Sequence, residues 1–279
     1  MSRRAARRRP WAPLQQSVLV VASLVALVPV AFMVVTSLKT ETQYAGDVLG
    51  LPWPLAPGNF TQALRGGEFA TWLKNSLILT GGAVIVSTAA AALAAFAIAR
   101  MRFRGRDTLL SLNVALMVVP PVVMLIPLFI QLNQLGLIST YRGVILIYAG
   151  LTAPFSVYLL TSFFRTIPNE LFESAHVDGA GHLRILTRIV LPLSGPALVT
   201  LVVVNALWVW NELLIALVFL PETDLKTLMV GVTLFQGRYS LNVPVLMAGM
   251  LVASAPMALL YLVGQRYFIR GLTAGALKG

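Results

Sequence analysis

The side chains that could move a proton, attack a carbonyl or hold a metal are few in this sequence, and they fall in two places. The only histidines are His176 and His182, in a polar stretch that also carries Glu170, Glu173 and Asp178. Tight metal sites use three or four nitrogen, sulfur or carboxylate donors, and the chain has no cysteine, so thiolate sites, disulfides and cysteine nucleophiles are excluded. No metal is expected. The second place is Glu212, the only acid inside an apolar run, at the end of Asn205-Ala-Leu-Trp208-Val-Trp210-Asn211-Glu212. Asn205, Trp208 and Glu212 recur about one helical turn apart and so share a face. No H-E-x-x-H zinc motif and no G-x-S-x-G elbow occurs, and no histidine lies in an apolar run to act as a base. A phosphate-binding G-x-x-x-x-G-K-[ST] loop is also missing, since its Gly-Lys pair never appears. Any ATP must be hydrolysed by another chain.

The elements that position these residues follow from composition. Of 279 residues 58% are hydrophobic and 11% charged, against about 25% charged in soluble domains, which marks an integral membrane protein. The net charge of +11 does not point to nucleic acid, because the basic residues sit in short clusters beside apolar runs, where membrane topology places them.

Residues 1–16 form a basic tail with Arg3, Arg4, Arg7, Arg8 and Arg9. The run Ser17 to Leu38 is about as long as the roughly 20 helical residues a bilayer core requires. A secretory signal would have a shorter core and a small-residue cleavage site, so this run reads as a retained first helix. Lys39 to Thr71, rich in proline and glycine, reads as an external loop. Further apolar runs cover Leu73 to Ala99, Leu109 to Leu132, Val144 to Phe164, Leu193 to Leu220 and Val245 to Phe268. The expectation is an all-α membrane domain over 17–279 with six transmembrane helices. Pro120, Pro121 and Pro127 must kink or break the third by removing backbone hydrogen bonds. Gly81, Gly82 and the alanines from Ala89 to Ala97 give the second a small-residue face suited to close helix contact, unless they reflect alanine richness alone. With the N-terminus inside, fifteen Lys and Arg fall on inner segments (the tail, Arg100 to Arg106, Arg165 to Arg188, Arg266 to Lys278) and six on outer ones. The positive-inside rule places both termini, and the segment Arg165 to Pro192, in the cytoplasm.

That segment, 165–192, reads as a two-helix elbow. Pro168 and Asn169 suit a helix start, with asparagine capping free N–H groups. Glu170 and Glu173 complement the dipole of the first turn, and Gly179 can take the left-handed conformation that ends it. Leu171, Phe172, Ala175 and Val177 lie mostly on one side. Leu183, Ile185, Leu186 and Ile189 supply the apolar positions of a second helix, for which Pro192 is the expected stop. The elbow is either an interfacial linker or a surface presented to a partner.

Glu173-Ser174-Ala175, Gly179, Ile189, Leu191 and Pro192 resemble the EAA loop of ABC-importer permeases, with serine at 174 where the family usually has alanine. Asn59-Phe60, Trp72 to Leu77, Ala94 to Arg100, Phe103 to Arg106, Leu135-Gly136-Leu137, Pro168 to Ala180, Trp210-Asn211-Glu212 and the tail Gln265 to Gly279 extend the likeness to the sugar-importer branch, in particular the second permease subunit of the maltose type. The resemblance implies the type I importer permease fold. It also implies a second permease subunit, two cytoplasmic ATPase subunits and an extracytoplasmic solute-binding protein as partners. ATP and Mg would be used by the ATPase, with no cofactor bound by this chain. Glu173, Ser174, Ala175, His176, Asp178, Gly179 and Ala180 would form the coupling contact with the ATPase. The binding protein would meet the loop Pro221 to Pro244, here at Gln236, Gly237, Arg238 and Tyr239. Two readings stay open for the other site. Asn205, Trp208, Asn211 and Glu212 could line a translocation pathway, with Trp208 offering an apolar plane to a sugar ring, or they could bond and pack against neighbouring helices. The rival function is an ion-coupled secondary transporter, which would want intramembrane titratable groups such as Glu212.

Overall fold

The computed structural model describes the backbone of residues 12–65, 68–238 and 242–276, and side chains over 14–65, 68–233 and 242–265. Every regular element among them is helical. The chain forms two units, 1–65 with 235–252, and 66–234 with 253–279.

In the first unit, α1 (Ala12–Ser37) is an apolar helix whose most hydrophobic window has no buried residue. The segment after it, expected to be an external loop, holds two short helices, α2 (Glu41–Gly46) and α3 (Gly58–Leu64). Thr40 and Gln43 close α2 with a reciprocal capping box. Lys39 is almost completely buried, and its ammonium donates to the carbonyls of Asp47 and Val48, each at 2.8 Å. Asn59 Nδ2 donates to the carbonyls of Ser37 (2.8 Å) and Lys39 (2.7 Å), which satisfies acceptors left open where α1 ends.

The second unit is built on α4 (Glu68–Arg100) and α7 (Tyr141–Phe164), which pack along most of their length with α11 (Gly195–Asn211) against both. Lipid gives no hydrophobic drive between helices, so close approach and interhelical hydrogen bonds hold them together. Ala91, Ala92 and Ala95 of α4 are buried in a cluster with Leu160, Phe164 and Leu201, so part of the alanine series is a packing face. A Cβ on Gly82 would lie 2.6 Å from Ile145 Cδ1. At the centre, Thr152 Oγ1 donates to Ser87 Oγ (2.9 Å), Ser87 and Ser156 hydroxyls are 3.3 Å apart, and Asn205 Nδ2 donates to Ser156 Oγ (2.8 Å).

Two expected spans are broken. The third consists of α5 (Arg106–Leu116) and α6 (Pro121–Gln134), bent by 101°. Pro121 stands in the first turn of α6, where its missing N–H costs nothing. The fifth, expected to run from Leu193 to Leu220, ends its main helix at Asn211, and α12 (Leu214–Phe219) follows after a break at Glu212. Among the described residues four helices are long and apolar enough to cross a membrane, rising to six when two bent pairs, α5 with α6 and residues 182–193 with α11, each count as one span, so the expected six is reached only through those pairs.

One end of α4 organises the chain beyond α12. Asn75 Nδ2 donates to the carbonyls of Asp224 (2.8 Å) and Lys226 (2.9 Å), Tyr141 donates to Asn75 Oδ1 (2.6 Å), and Ser76 Oγ accepts from the Leu228 N–H (2.8 Å). α13 (Leu228–Arg238) follows. Its Gly231 lies so close to the Trp72 ring that an added Cβ would come within 2.1 Å of a ring carbon. α14 (Val243–Ala276) completes the chain.

Candidate coupling site

The elbow begins where α7 stops. α8 (Asn169–Val177) opens after Pro168 without any side-chain cap. The expectation that Asn169 caps the helix is therefore incorrect: its Oδ1 accepts from Arg100 Nη1 at 2.7 Å. Arg100, the last residue of α4, also donates through Nη2 to the carbonyls of Phe164 and Ile167 and stacks 4.1 Å above the Phe172 ring, a favourable cation–π geometry. One guanidinium thus ties together the end of α4, the end of α7 and the first turn of α8. Its planar fork of five donors makes this possible, and an ammonium could not reproduce it. In the sequence Arg100 counted as one of the inner charges and as the end of a stretch that carries the family likeness. The usable signal was its place at the last turn of a long helix, where a cation and open carbonyls belong together.

α8 ends as expected. Gly179 has φ +73°, the Ala180 N–H donates to the Ala175 carbonyl (2.9 Å) and the Gly179 N–H to the His176 carbonyl (3.0 Å). These are the paired bonds of a Schellman cap. The next helix runs from His182 to Leu193 as α9 (His182–Ile185), a π-turn over Leu186–Val190 and α10 (Leu191–Leu193). Pro192 does not stop it. A proline ring clashes with the carbonyl four residues back and lacks the N–H that would bond it, and the wider π-turn just before it accommodates both problems. The helix stops instead at Ser194, whose N–H and Oγ both donate to the Val190 carbonyl (2.9 and 2.6 Å). α11 then leaves at 80°.

Burial divides the elbow into two faces. Phe172, Ala175, Ile185, Leu186 and Val190 are buried in the same cluster as Phe96 and Leu160, so the apolar side of both helices is anchored on the transmembrane core. The other face carries Glu173, Ser174, His176, Asp178 and Gly179, all exposed, with Ala180 half-buried. Of the expected coupling residues Ala175 is buried in that cluster, because its spacing from Phe172 puts it on the packed side, and Ala180 packs against it. Three apolar side chains remain outside, Leu171 (42% exposed), Val177 (88%) and Leu183 (67%). The His176 and His182 rings meet edge to face at 5.4 Å. Among the described residues no three metal-ligating side chains converge.

A profile described as binding-protein-dependent transport system inner membrane component matches residues 87–273, a stretch that contains the whole elbow. The chain belongs to that family. This permease is 32% identical to the trehalose/maltose transport system permease protein of Thermococcus litoralis, covering 92% of this chain and 93% of the other. It is 35% identical to the sulfoquinovosyl glycerol transport system permease protein of Agrobacterium fabrum, covering 91% and 89%. The crystal structure of a bacterial ABC transporter that imports the acidic polysaccharide alginate contains a chain with TM-score 0.82 and 25% identity, covering 96% of the permease and 100% of that chain. The fold is that of a type I importer permease.

The four pathway candidates part company in the permease. Asn205 is buried and bonded to Ser156, so it serves helix packing. Asn211 donates to the Leu207 carbonyl of its own helix (2.7 Å). Glu212 stands where α11 has already ended, so its side chain folds over the start of α12. Its Oε1 accepts from the N–H groups of Leu214 (2.9 Å) and Ile215 (3.1 Å), and its Oε2 from Ile215 (2.9 Å), Ala216 (3.3 Å) and the Tyr148 hydroxyl (3.0 Å). The shared face expected from one-turn spacing is lost because the helix does not continue through Glu212. Asn211 is exposed, and Trp208 also lies on an open surface, 38% exposed. Its ring meets Tyr148 edge-on at 6.2 Å and borders a cavity of about 630 Å³ with Met117, Met124, Leu146, Gly150 and Phe155. Of the expected binding-protein contacts, the side chains of Gln236, Gly237 and Arg238, and all of Tyr239, lie outside the described residues.

Proposed function

We propose that this permease is the membrane subunit of an ATP-driven, binding-protein-dependent importer for a di- or oligosaccharide or related sugar, with the elbow as the place where the motor pushes. The carrying observation is the division of the elbow. One face is locked into the transmembrane core through Arg100, Phe172 and Ile185, while Leu171, Val177 and Leu183 stay exposed beside a rim of charge. An apolar patch with a polar rim is what a protein partner covers. A push on the exposed face would pass through the anchored one to α4, α7 and α11 as rigid bodies, the kind of motion that alternates access. The partners in this reading are a second homologous permease subunit, two cytoplasmic ATPase subunits that bind ATP and Mg, and an extracytoplasmic solute-binding protein. The charge asymmetry supports cytoplasmic termini and a cytoplasmic elbow. Nothing favours ion coupling: the carboxylate oxygens of Glu212 are already occupied by three backbone N–H groups and a tyrosine hydroxyl.

Uptake into proteoliposomes holding the whole assembly tests the reading. Transport is expected to require ATP and the ATPase, and Glu173→Lys or Gly179→Pro should abolish uptake and ATPase co-purification while the chain still inserts. Uptake driven by an ion gradient without ATP, or both variants retaining the motor and full transport, would refute it.

A further inference from the structure

The turn between α4 and α5 carries cations that neither the fold nor the coupling role uses. It reads Arg100-Met-Arg102-Phe103-Arg104-Gly105-Arg106, with Gly105 at φ +88° turning the chain into α5. Of these arginines, Arg100 is engaged by Asn169 and two carbonyls, although its buried Nε has no partner, and Arg106 lies 3.6 Å from Asp107. Arg102 and Arg104 are exposed and make no ion pair among the described residues. Arg102 and Arg106 together border two cavities. One, about 430 Å³, lies against the elbow and is walled by Phe96, Ala99 and Phe172, with Asn169, Glu173, His176 and His182 at its polar side. The other, about 440 Å³, is formed by the turn itself around Phe103, which is 39% exposed.

From this arrangement we infer that the turn binds the phosphate of an anionic membrane lipid, seated between Arg102 and Arg106 and reaching toward the unpartnered Nε of Arg100. Three guanidinium groups against two carboxylates, Glu173 on the cavity wall and Asp107 beside Arg106, the latter shared with Arg165 at 3.3 Å, leave the elbow-side cavity net cationic, and guanidinium forks match phosphate oxygens two at a time. The lipid rather than a free anion is favoured by the walls. The turn joins two membrane-spanning segments, so it lies at the depth of the headgroups, and the apolar rings of Phe96, Phe103 and Phe172 suit the glycerol and the first acyl carbons. Because the elbow-side cavity is also bordered by α8 and α9, the lipid would brace the anchored face of the elbow against the end of α4.

Native mass spectrometry of the full chain, purified from a membrane containing phosphatidylglycerol and phosphatidylethanolamine, tests this independently of any motor. The wild type is expected to retain phosphatidylglycerol selectively. Arg102→Gln with Arg106→Gln should lower that retention about thirtyfold, with helix content and elution volume unchanged, whereas Arg102→Lys with Arg106→Lys should keep most of it. Arg65→Gln, outside the turn, should change nothing. Equal retention in wild type and the Gln pair would overturn the inference. So would displacement of the lipid by millimolar inorganic phosphate alone, which would mark a free-anion site.

Discussion

At the scale of single residues, the permease shows how a polar side chain in an apolar span is read wrongly when its backbone is assumed to be regular. Glu212 sits in the sequence as an intramembrane acid, costly unless it has a function or partners. It has the partners. An acidic side chain over the first N–H groups of a helix satisfies donors that otherwise stay open and complements the positive end of the dipole, so Glu212 restarts the helix after its own break. Glu212→Ala is expected to lower stability by about 2 kcal/mol, measured as a shift in a detergent-unfolding titration. Glu212→Gln, which keeps one acceptor oxygen, should cost about half of that. Substrate uptake that fails in Glu212→Gln while unfolding is unchanged would return the residue to the pathway.

At the scale of elements, the elbow depends on its cap. An added Cβ on Gly179 meets nothing within 4 Å, so the penalty of substitution is purely the left-handed backbone. Gly179→Ala should therefore destabilise the end of α8 by about 1 kcal/mol, and Gly179→Asn by less, since asparagine tolerates this conformation. Hydrogen exchange over residues 169–180 reads the effect directly, because local opening need not alter global stability. Equal exchange in all three proteins would mean that the Schellman bonds do not limit opening there. The π-turn at Leu186–Val190 belongs to the same scale. It lets Pro192 lie inside a helix that continues into the 80° bend, so the elbow meets α11 through folded chain rather than a loose linker.

For the whole molecule, the prediction concerns orientation. A periplasm-dependent alkaline phosphatase fused after Gly279 is expected to be inactive, and the same reporter placed after Leu55 active, following the fifteen-to-six charge asymmetry. The opposite pattern would put the elbow on the wrong side for an ATP-driven partner. The exposed window of α1 shows at this scale that the isolated chain leaves apolar surface to be covered by lipid or another subunit.

Composition, hydropathy and charge clusters alone pointed to a helical membrane protein with six spans, the residues from Pro168 to Pro192 to an elbow, and their resemblance to the EAA loop to its family. Those properties are written in local composition, in the length of apolar runs and in the conformational demands of glycine, all of which act along the chain. Only the tertiary structure decided that Arg100 rather than a cap receives Asn169, that Asn205 bonds Ser156, and that Trp208 faces the open cavity. Each of these depends on a partner 49 or more residues away for the first two, or on where neighbouring helices leave a gap. The direction of a side chain past a helix break is set by what packs around it, which no local pattern records.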